Sequence, residues 1–436
     1  MQLIHKFHKM ESENNLFELG AELRLPLWDI IRYSVYVKYY YPKKYRVKLS
    51  ISYKHVFKDY FRIVFKFLSF IISLISKNND IVIMTASRYI DNEGKYYDKS
   101  AMPIINTLGG NCVVLEPILG KELAYHYIYD FSNLFRRFYK SKRISNKYYE
   151  KIKACLVETF GECLISYNEI NLLVRDFRND YIFYKTIFSL IKNKKLIICT
   201  GNPKASINAA KDLNIETYLV QHAGIELDEI DYSYPDEITP NSFILFPDYV
   251  LTFGNYWCKN FNVPAKKIIS IGNDFFFFKP EVELDGSILI VSTVVHGIEL
   301  SKFTLKAAKE RPDLKFIYKL HPNEFQFKNE YFEYFKSNSN VFIISNEIDT
   351  TILIAKSQLV VLIVSAVIYE ALNQNKKVAV LKKINYKRQL HLSQLKNLYF
   401  FDLTDELFEI LLEDELINKM DFFKKTDLNI IKEMFH

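Results

Sequence analysis

The stretch LVVLIVSAVIYEALNQNKKVAVL, residues 359–381, decides the fold class of this chain. It begins with an unbroken apolar run rich in β-branched residues, continues through a segment of helical composition, and ends in a second apolar run, KVAVL. Strands that are apolar along their whole length are covered on both faces of a sheet, and a helix between two of them is typical of a parallel βαβ unit. The stretch therefore predicts an α/β protein with a parallel sheet.

Similar apolar runs form two series along the chain. The later series comprises SILIVST (287–293), KFIYKLHP (315–322), VFIIS (341–345), LVVLIVS (359–365) and KVAVL (377–381). The earlier series comprises IVIM (81–84), CVVLEP (112–117), KLIICT (195–200), TYLVQH (217–222) and YVLTFG (249–254). We expect helices between the strands of the later series at residues 299–311, 331–337, 350–356 and 366–373. Two such series predict two Rossmann-like domains with parallel sheets.

A break between the two series marks the expected domain boundary. FFFFKPEVELDG, residues 275–286, interrupts the strand pattern with a proline and several acids. We predict a basic, aromatic N-terminal segment at 1–80, a first domain at 81–278, a second domain at 286–400, and C-terminal helices at 401–436 that pack back across the domains. The length of 436 residues fits this division, because a single core rarely grows beyond about 250–300 residues.

The composition is that of a globular protein, with 49% hydrophobic and 25% charged residues, 12 Gly and 12 Pro. It excludes collagen-like and low-complexity classes. The 5 cysteines are odd in number and form no CxxC pair, so neither a disulfide framework nor a zinc site is expected. The motifs of P-loop proteins, zincins, serine hydrolases and common dinucleotide-binding proteins do not occur, nor does a nucleic-acid-binding signature. We expect no metal, no tightly bound cofactor and no nucleic-acid partner.

Positive charge is concentrated near the N-terminus of a chain whose net charge is +7. The segment Tyr36–Lys77 contains many lysines and arginines and a single acid, which favours an anionic surface, although a solvated basic face would have the same composition. Within it, residues 61–76 are apolar but interrupted by Arg62 and Lys66, so we predict a buried or interfacial helix that does not span a membrane. The first residues lack the apolar core of a signal peptide, so we expect a cytoplasmic protein.

Polar side chains follow the strands of the later series, where parallel sheets bind ligands. His321 and Pro322 end the run KFIYKLHP, and Lys319 lies two positions earlier on the same strand face. Because proline has no N–H to continue the ladder, the imidazole is expected at the mouth of the sheet, where it can donate a hydrogen bond to a phosphate oxygen. The alternative is a structural histidine at the end of a strand.

Two other loops of the later series offer groups for the same ligand. Ser365 is placed to cap the helix that follows LVVLIVS, where backbone N–H groups can bind a phosphate. Glu370, on that helix, can accept hydrogen bonds from ribose or sugar hydroxyls. Ser292 and Thr293 end the run SILIVST and are candidates for phosphate contacts. Capping alone, or a solvated helix position, would also explain Ser365 and Glu370.

The earlier series ends in a loop that contains a histidine and acids. In TYLVQHAGIELDE, His222 ends a strand and is followed by Glu226 and Asp228. A histidine beside carboxylates can act as a general base toward an acceptor hydroxyl, whereas a packed loop histidine is the alternative. Candidate acceptor or sugar contacts in two further loops are Arg88, Lys95, Asp98 and Asn202. These residue types suit a sugar or an anion, but they are also common in exposed loops.

Four motifs occur in order between residues 195 and 381. They are LVQHAG (219–224), TFGNYW followed by KKIISIGN (252–273), YKLHP (318–322) and VSAVIYEAL (364–372). The ordered set resembles bacterial surface-polysaccharide glycosyltransferases of the GT-B fold. Similar arrangements occur in capsule-synthesis transferases, in bacterial sialyltransferases with an HP motif, and in teichoic-acid glycerophosphotransferases.

The resemblance implies two Rossmann-like domains that face a central cleft, with the nucleotide in the second domain. It implies donor contacts at His321 and Ser365, together with Glu370. The teichoic-acid enzymes use a histidine in a QHG-like loop as a base, which points to His222. Because this loop reads HAG, the base assignment stays open between that histidine and the two acids that follow it. The sialyltransferase motif of two acids followed by glycine is absent.

The expected activity is transfer of a sugar from a nucleotide-activated donor to a bacterial cell-surface glycan, inverting and independent of a metal. The HP-containing relatives favour a CMP-linked keto-acid sugar as the donor. The carboxylate of such a sugar could pair with Lys319, Arg88 or Lys95. UDP-linked and CDP-linked donors are alternatives. A CDP-glycerol-type polyol-phosphate transferase or a nucleotide-sugar epimerase would share the fold. A non-catalytic assembly scaffold is the alternative from another class. The expected partners are the nucleotide sugar, a glycan or lipid-linked acceptor, and the inner membrane surface.

Overall fold

A computed structural model describes most of the chain. The described residues are 2–40, 80–116 without 88 and 92, 123–125, 128–130, 132, 142–259 without 202, 237 and 239–242, 262–413 without 384, and 420–435. Most of the basic N-terminal segment, including the apolar run 61–76, lies outside the described residues, as do the candidate ligand contacts Arg88 and Asn202.

Within the described residues, the first domain contains a seven-stranded sheet. Its region holds β1 Ile81–Met84, β2 Tyr89–Ile90, β3 Tyr96–Tyr97, β4 Val113–Glu116, β5 Ile128–Tyr129, β6 Lys195–Ile198, β7 Glu216–Val220, β8 Tyr249–Thr252 and β9 Lys267–Ser270. The sheet order is β5-β4-β1-β6-β7-β8-β9, and each neighbouring pair is parallel. Strands β2 and β3 pair separately as an antiparallel ribbon. The direction of winding reverses between β1 and β6, which creates a topological switch point there.

The described part of the second domain contains a six-stranded sheet. Its strands are β10 Ile288–Val291, β11 Phe316–Lys319, β12 Val341–Ile344, β13 Leu359–Leu362, β14 Lys377–Leu381 and β15 Leu398–Phe401. They lie in the order β12-β11-β10-β13-β14-β15, and all neighbouring pairs are parallel. The switch point lies between β10 and β13. Every residue of β13 and of β14 is buried, as their apolar sequences predict.

Helices connect the strands and cover both sheets. Those of the described residues are α1 Gln2–Glu13, α2 Leu27–Tyr40, α3 Met102–Leu108, α4 Asn146–Phe160, α5 Tyr167–Ile191, α6 Lys204–Asp212, α7 Asn255–Lys259, α8 Asp274–Phe277, α9 Gly297–Glu310, α10 Lys328–Phe335, α11 Thr350–Lys356, α12 Val367–Asn373, α13 Thr404–Leu412 and α14 Leu428–Phe435. The four helices predicted for the second domain are confirmed as α9 to α12. The predicted fold class, two α/β domains with parallel sheets, is also confirmed. In this described set, no helix has both the length and the apolar character needed to cross a bilayer.

The N-terminal helices pack on the first domain through a buried ion pair. The guanidinium of Arg32 in α2 donates to both carboxylate oxygens of Glu11 in α1, over 2.6 and 2.9 Å. It also donates to the carbonyl of Ser233 over 2.8 Å and lies 4.4 Å from the ring centroid of Tyr234. Both charged side chains are almost fully buried. Residues 2–40 are therefore part of the first domain's structure.

The C-terminal residues return from the second domain to the first. The backbone N–H of Lys424 donates to the carbonyl of Phe253 over 2.9 Å. A Cβ on Gly254 would collide with the carbonyl oxygen of Asp421, and a Cβ on Gly272 would collide with that of Lys425. The glycines of the TFG and IGN motifs are thus required for the close passage of this tail.

Candidate active site between the domains

Loops at the carboxyl ends of the two sheets contact each other. The ammonium of Lys99, which follows β3, lies 2.8 Å from the carboxylate of Asp349, which follows β12. A Cβ on Gly224, which follows β7, would lie 2.5 Å from the ring of Tyr369 and 3.2 Å from Cβ of Ala366. These contacts place the carboxyl edges of the two sheets opposite each other, and we call the region between these edges the cleft. Both switch points lie at these carboxyl edges, where parallel sheets bind ligands.

His321 lies at the end of β11, where Pro322 starts a short 3₁₀-helix, Pro322–Phe327. The Nδ1 atom of the imidazole accepts a hydrogen bond from the backbone N–H of Asn323 over 3.1 Å. A ring nitrogen that accepts a hydrogen bond carries no proton, so in the neutral imidazole the proton lies on Nε2. The half-buried ring can therefore donate to a ligand through Nε2.

A buried carboxylate, Glu324, lies beneath this histidine. Its side chain is 4% exposed. Oε2 accepts the backbone N–H of His321 over 3.0 Å, and Oε1 accepts the hydroxyls of Ser292 over 3.1 Å and Tyr331 over 2.6 Å. Sequence analysis did not single out Glu324, although a capping residue followed three positions later by Glu is a recognisable capping box.

Ser292 and Lys319 lie below the site and bond to protein groups. Ser292 is 1% exposed and donates its hydroxyl proton to Glu324. The buried ammonium of Lys319 donates to the carbonyls of Ser345 and of Ile348, the latter over 3.0 Å. Burial lowers the pKa of Lys319 to about 8. Both residues connect neighbouring strand ends, and the structure places neither at the surface of the cleft.

Thr293 lies at the second-domain switch point, just before α9. Its hydroxyl oxygen is buried and has no hydrogen-bond partner among the described residues. The next helix, α9, has 14 residues and begins at Gly297 without a side-chain cap. Its first N–H groups and the Thr293 hydroxyl are therefore suited to the binding of an anion.

Ser365 and Glu370 lie at the start of α12, on the other side of the switch point. The hydroxyl oxygen of Ser365 accepts the N–H of Val367, the first residue of the helix, over 3.3 Å, although the N-cap position itself is occupied by Ala366. Glu370 is partly exposed, and burial raises the pKa of its carboxyl to about 7. The charges of Lys99 and Asp349 act on it in opposite directions. Glu370 therefore faces the region where the two domains meet.

The HAG loop of the first domain contacts α12 at Gly224. Gln221 is buried and fixes this loop, because its amide accepts the N–H of Phe253 and donates to the carbonyl of Ala223, each over 2.9 Å. His222 lies between Gln221 and Gly224 and is partly exposed. The structure thus places His222 two residues from Gly224, which contacts the first turn of α12 across the cleft.

The two acids that follow His222 take part in contacts between the domains. Arg388 donates to a carboxylate oxygen of Asp228 over 2.7 Å, and Gln389 donates to Glu226 over 3.2 Å. Both acids are buried. Burial raises the pKa of Glu226 to about 7, with the charge of Arg388 acting against the shift. Sequence analysis did not single out Arg388 or Gln389, since no local motif marks them.

The predicted acceptor contacts that the structure describes lie outside this group. The Lys95 ammonium pairs with Glu93 over 2.7 Å on the β2–β3 ribbon. Asp98 is buried, and its carboxylate accepts the backbone N–H groups of Ala86, Ser100 and Ala101. Asp98 therefore holds the turn before α3. In the part of the chain that the structure describes, no group of three or more His, Cys, Asp or Glu residues is arranged to hold a metal ion.

Sequence comparison relates the second domain to a known family. Residues 269–402 match the model of the family described as capsule polysaccharide biosynthesis protein. This segment contains His321, Ser365 and Glu370, so the similarity to capsule-synthesis proteins that the motifs indicated is confirmed for this part of the chain. No curated protein matches the sequence.

Several solved structures are similar to this one. UDP-GlcNAc 2-epimerase from Methanocaldococcus jannaschii has 14% identity and a TM-score of 0.49, covering 81% of this chain and 99% of the epimerase. UDP-GlcNAc 2-epimerase from Neisseria meningitidis, bound to UDP-GlcNAc, has 15% identity and a TM-score of 0.49, with coverages of 81% and 98%. MurG from Acinetobacter baumannii has 11% identity and a TM-score of 0.41, with coverages of 77% and 91%.

Proposed function

We propose that the protein is a glycosyltransferase that moves a sugar from a nucleotide-activated donor to a bacterial cell-surface glycan. One observation carries the proposal. The segment that matches capsule polysaccharide biosynthesis proteins, residues 269–402, also provides the polar groups around the second-domain switch point. A Rossmann-like domain binds nucleotides at this position of the sheet, and glycan synthesis requires an activated sugar.

The donor's phosphates bind where β10, β11 and β13 end. His321 donates from Nε2 to a phosphate oxygen, and the Thr293 hydroxyl and the first N–H groups of α9 provide further donors. The positive end of the helix dipole favours the phosphate charge that grows as the sugar leaves. Ser365 contributes its hydroxyl, and Glu370 accepts hydrogen bonds from ribose or sugar hydroxyls. In this scheme no step requires a metal ion.

The acceptor is activated from the first domain. His222 takes the proton of the acceptor hydroxyl, whose oxygen bonds to the anomeric carbon as the bond from that carbon to the phosphate oxygen breaks. We favour His222 over Glu226 and Asp228 because histidine is the most common general base in enzymes. Attack opposite the leaving group inverts the anomeric configuration.

We further propose that the basic segment Tyr36–Lys77 holds the enzyme at the inner membrane, near lipid-linked acceptors. The start of this segment supports the proposal, since it lies beside the cleft. The Tyr36 hydroxyl donates to the carbonyl of Asp228 over 3.0 Å, and the Tyr40 ring centroid lies 5.3 Å from the guanidinium of Arg388. Sedimentation with anionic lipid vesicles should show binding that high salt reverses, and no binding at low salt would refute the membrane role.

The first experiment is a thermal-shift series with CMP, CDP, UDP, GDP and their sugar conjugates. A ligand that binds the native state raises the melting temperature, and we test a CMP-linked keto-acid sugar first. The stabilising donor is then incubated with the protein and a surface-glycan acceptor, and the product is analysed by mass spectrometry. Transfer of the sugar supports the proposal. Conversion of the donor to an epimer without an acceptor would replace it, and the absence of both binding and turnover would refute it.

A further inference from the structure

Four polar side chains, three of them buried and one partly buried, form a cluster beneath the proposed phosphate site. This cluster, which we call the Glu324 cluster, consists of Glu324, Ser292, Tyr318 and Tyr331. Ser292 and Tyr331 donate to Glu324, and the Tyr318 hydroxyl lies 3.2 Å from that of Ser292. An ionised carboxylate only accepts hydrogen bonds, so one buried acid orients the hydroxyls around it.

The Glu324 cluster packs directly against the first residue of α9. A Cβ on Gly297 would lie 2.6 Å from Oε1 of Glu324 and 2.7 Å from the hydroxyl of Tyr331. The Tyr318 hydroxyl also donates to the carbonyl of Gly297 over 3.0 Å. Only glycine allows this approach, so the position of the α9 N-terminus depends on the cluster.

The same carboxylate determines the conformation of the turn that holds His321. The His321 backbone N–H donates to Glu324, and the Glu324 N–H donates back to the His321 carbonyl over 2.7 Å. This closed turn brings the N–H of Asn323 to Nδ1 of the imidazole. Glu324 therefore bonds to the turn that holds His321 and packs against the first residue of α9, the two elements that the proposed function assigns to the donor phosphates.

We propose that Glu324 is a positioning residue that fixes the His321 imidazole, in its Nε2–H form, relative to the N-terminus of α9. This proposal rests on the proposed function, because it takes a nucleotide phosphate as the ligand that His321 and the N-terminus of α9 both bind. Glu324 itself has no contact with the ligand. Its effect on binding passes through His321 and Gly297.

The test compares two substitutions at Glu324 with a matched control. Glu324→Ala leaves the His321 N–H and two hydroxyls without their acceptor, and we expect CMP and UDP affinity to fall about tenfold or more, as for loss of hydrogen bonds to a charged group. Glu324→Gln keeps one acceptor oxygen, while the hydroxyls can rotate to accept from its amide, so affinity should remain within about threefold. The control is Glu169→Ala, because Glu169 closes the same kind of capping box at the start of α5, in the first domain.

The measurements are calorimetric titration with CMP and UDP, melting temperature, and the ¹⁵N spectrum of the His321 ring, assigned with His321→Gln. The proposal is supported if Glu324→Ala binds the nucleotides more weakly and its His321 ring is no longer purely in the Nε2–H form. Glu324→Gln and Glu169→Ala should keep both the nucleotide affinity and the Nε2–H form. An unchanged His321 spectrum in Glu324→Ala overturns it. If the unaltered protein binds neither nucleotide, the proposed function loses support, and the His321 spectra alone decide the positioning role.

Discussion

The HP loop of the second domain and the HAG loop of the first obtain their hydrogen-bond partners from different places. His321 and Glu324 bond to each other, to Asn323 and to groups of their own domain. The acids of the HAG loop instead bond to Arg388 and Gln389 across the cleft. The donor side is therefore formed whatever the position of the domains, whereas the acceptor side is completed only when they meet. We expect donor affinity and turnover to respond to different substitutions.

The largest effect is expected for His222→Ala. Removal of a general base should lower turnover by about two orders of magnitude or more. Nucleotide affinity should stay unchanged, because His222 belongs to the first domain. Single-turnover kinetics and calorimetry measure the two quantities separately. Survival of turnover would transfer the base role to Glu226 or Asp228.

His321→Ala should have the opposite profile. Loss of a hydrogen bond to a charged phosphate should weaken nucleotide binding by about 1–3 kcal/mol. Calorimetric titration with the nucleotide that stabilises the unaltered protein measures this loss, and His8→Ala is a control because His8 bonds to Ser233 in the first domain. Equal affinity in His321→Ala and the unaltered protein would remove His321 from the donor site.

A smaller effect is expected for Asp228→Asn, which tests the contact between the domains. The change removes the charge that faces Arg388 but keeps a side-chain oxygen that can accept its hydrogen bond, so it should weaken domain closure by about 1 kcal/mol, the typical net value of a hydrogen bond. Small-angle scattering should then show a larger radius of gyration, with nucleotide affinity unchanged. In the control Asp313→Asn, which disrupts a pair with Arg311 inside the second domain, the radius should not change. An unaltered radius in Asp228→Asn would show that this contact does not hold the cleft closed.

The last effect is a dependence of stability on pH through Glu226. Burial raises the pKa of this carboxyl from 4.5 to about 7, so the folded state retains a proton that the unfolded chain loses. Stability from this group is fully present below pH 4.5 and declines as the pH rises to about 7. Burial also lowers the pKa of His391, which works in the opposite direction. The difference in melting temperature, Glu226→Gln minus the unaltered protein, should therefore grow as the pH rises from 5 to 7. A difference that stays constant over this range would contradict the raised pKa of Glu226.

Strands and helices of the second sheet are predictable from the sequence because their signals are local. KVAVL predicts a strand and is β14, and the helix predicted at 350–356 is α11. The strands β9 and β15 were not predicted, although residues 266–273 were noted as a motif. Both are edge strands of their sheets, and only some of their residues are fully buried.

Candidate residues were harder to interpret where their partners are distant in sequence. The position of His321 follows from a strand end and a proline, which are visible in the sequence. Lys319 is buried against Ser345 and Ile348, which follow the neighbouring strand β12. The alternation of side chains along β11 shows only which face of the sheet Lys319 lies on, so the sequence of β11 alone does not predict this burial. The contacts of Asp228 and Glu226 span 160 and 163 residues. No local pattern predicts such pairs.

The return of the C-terminal tail to the first domain has a mechanical consequence. Residues 279–287 lead from the first domain to the second, and residues 420–435, which come after α13 in the chain, lie against the first domain again. Within this tail, the ring centroid of the buried Phe422 lies 6.3 Å from that of Trp257 in the first domain and 5.2 Å from that of Tyr369 in the second. The tail therefore joins the domains by packing as well as by the chain itself, so its deletion would expose apolar surface on both domains and loosen their alignment.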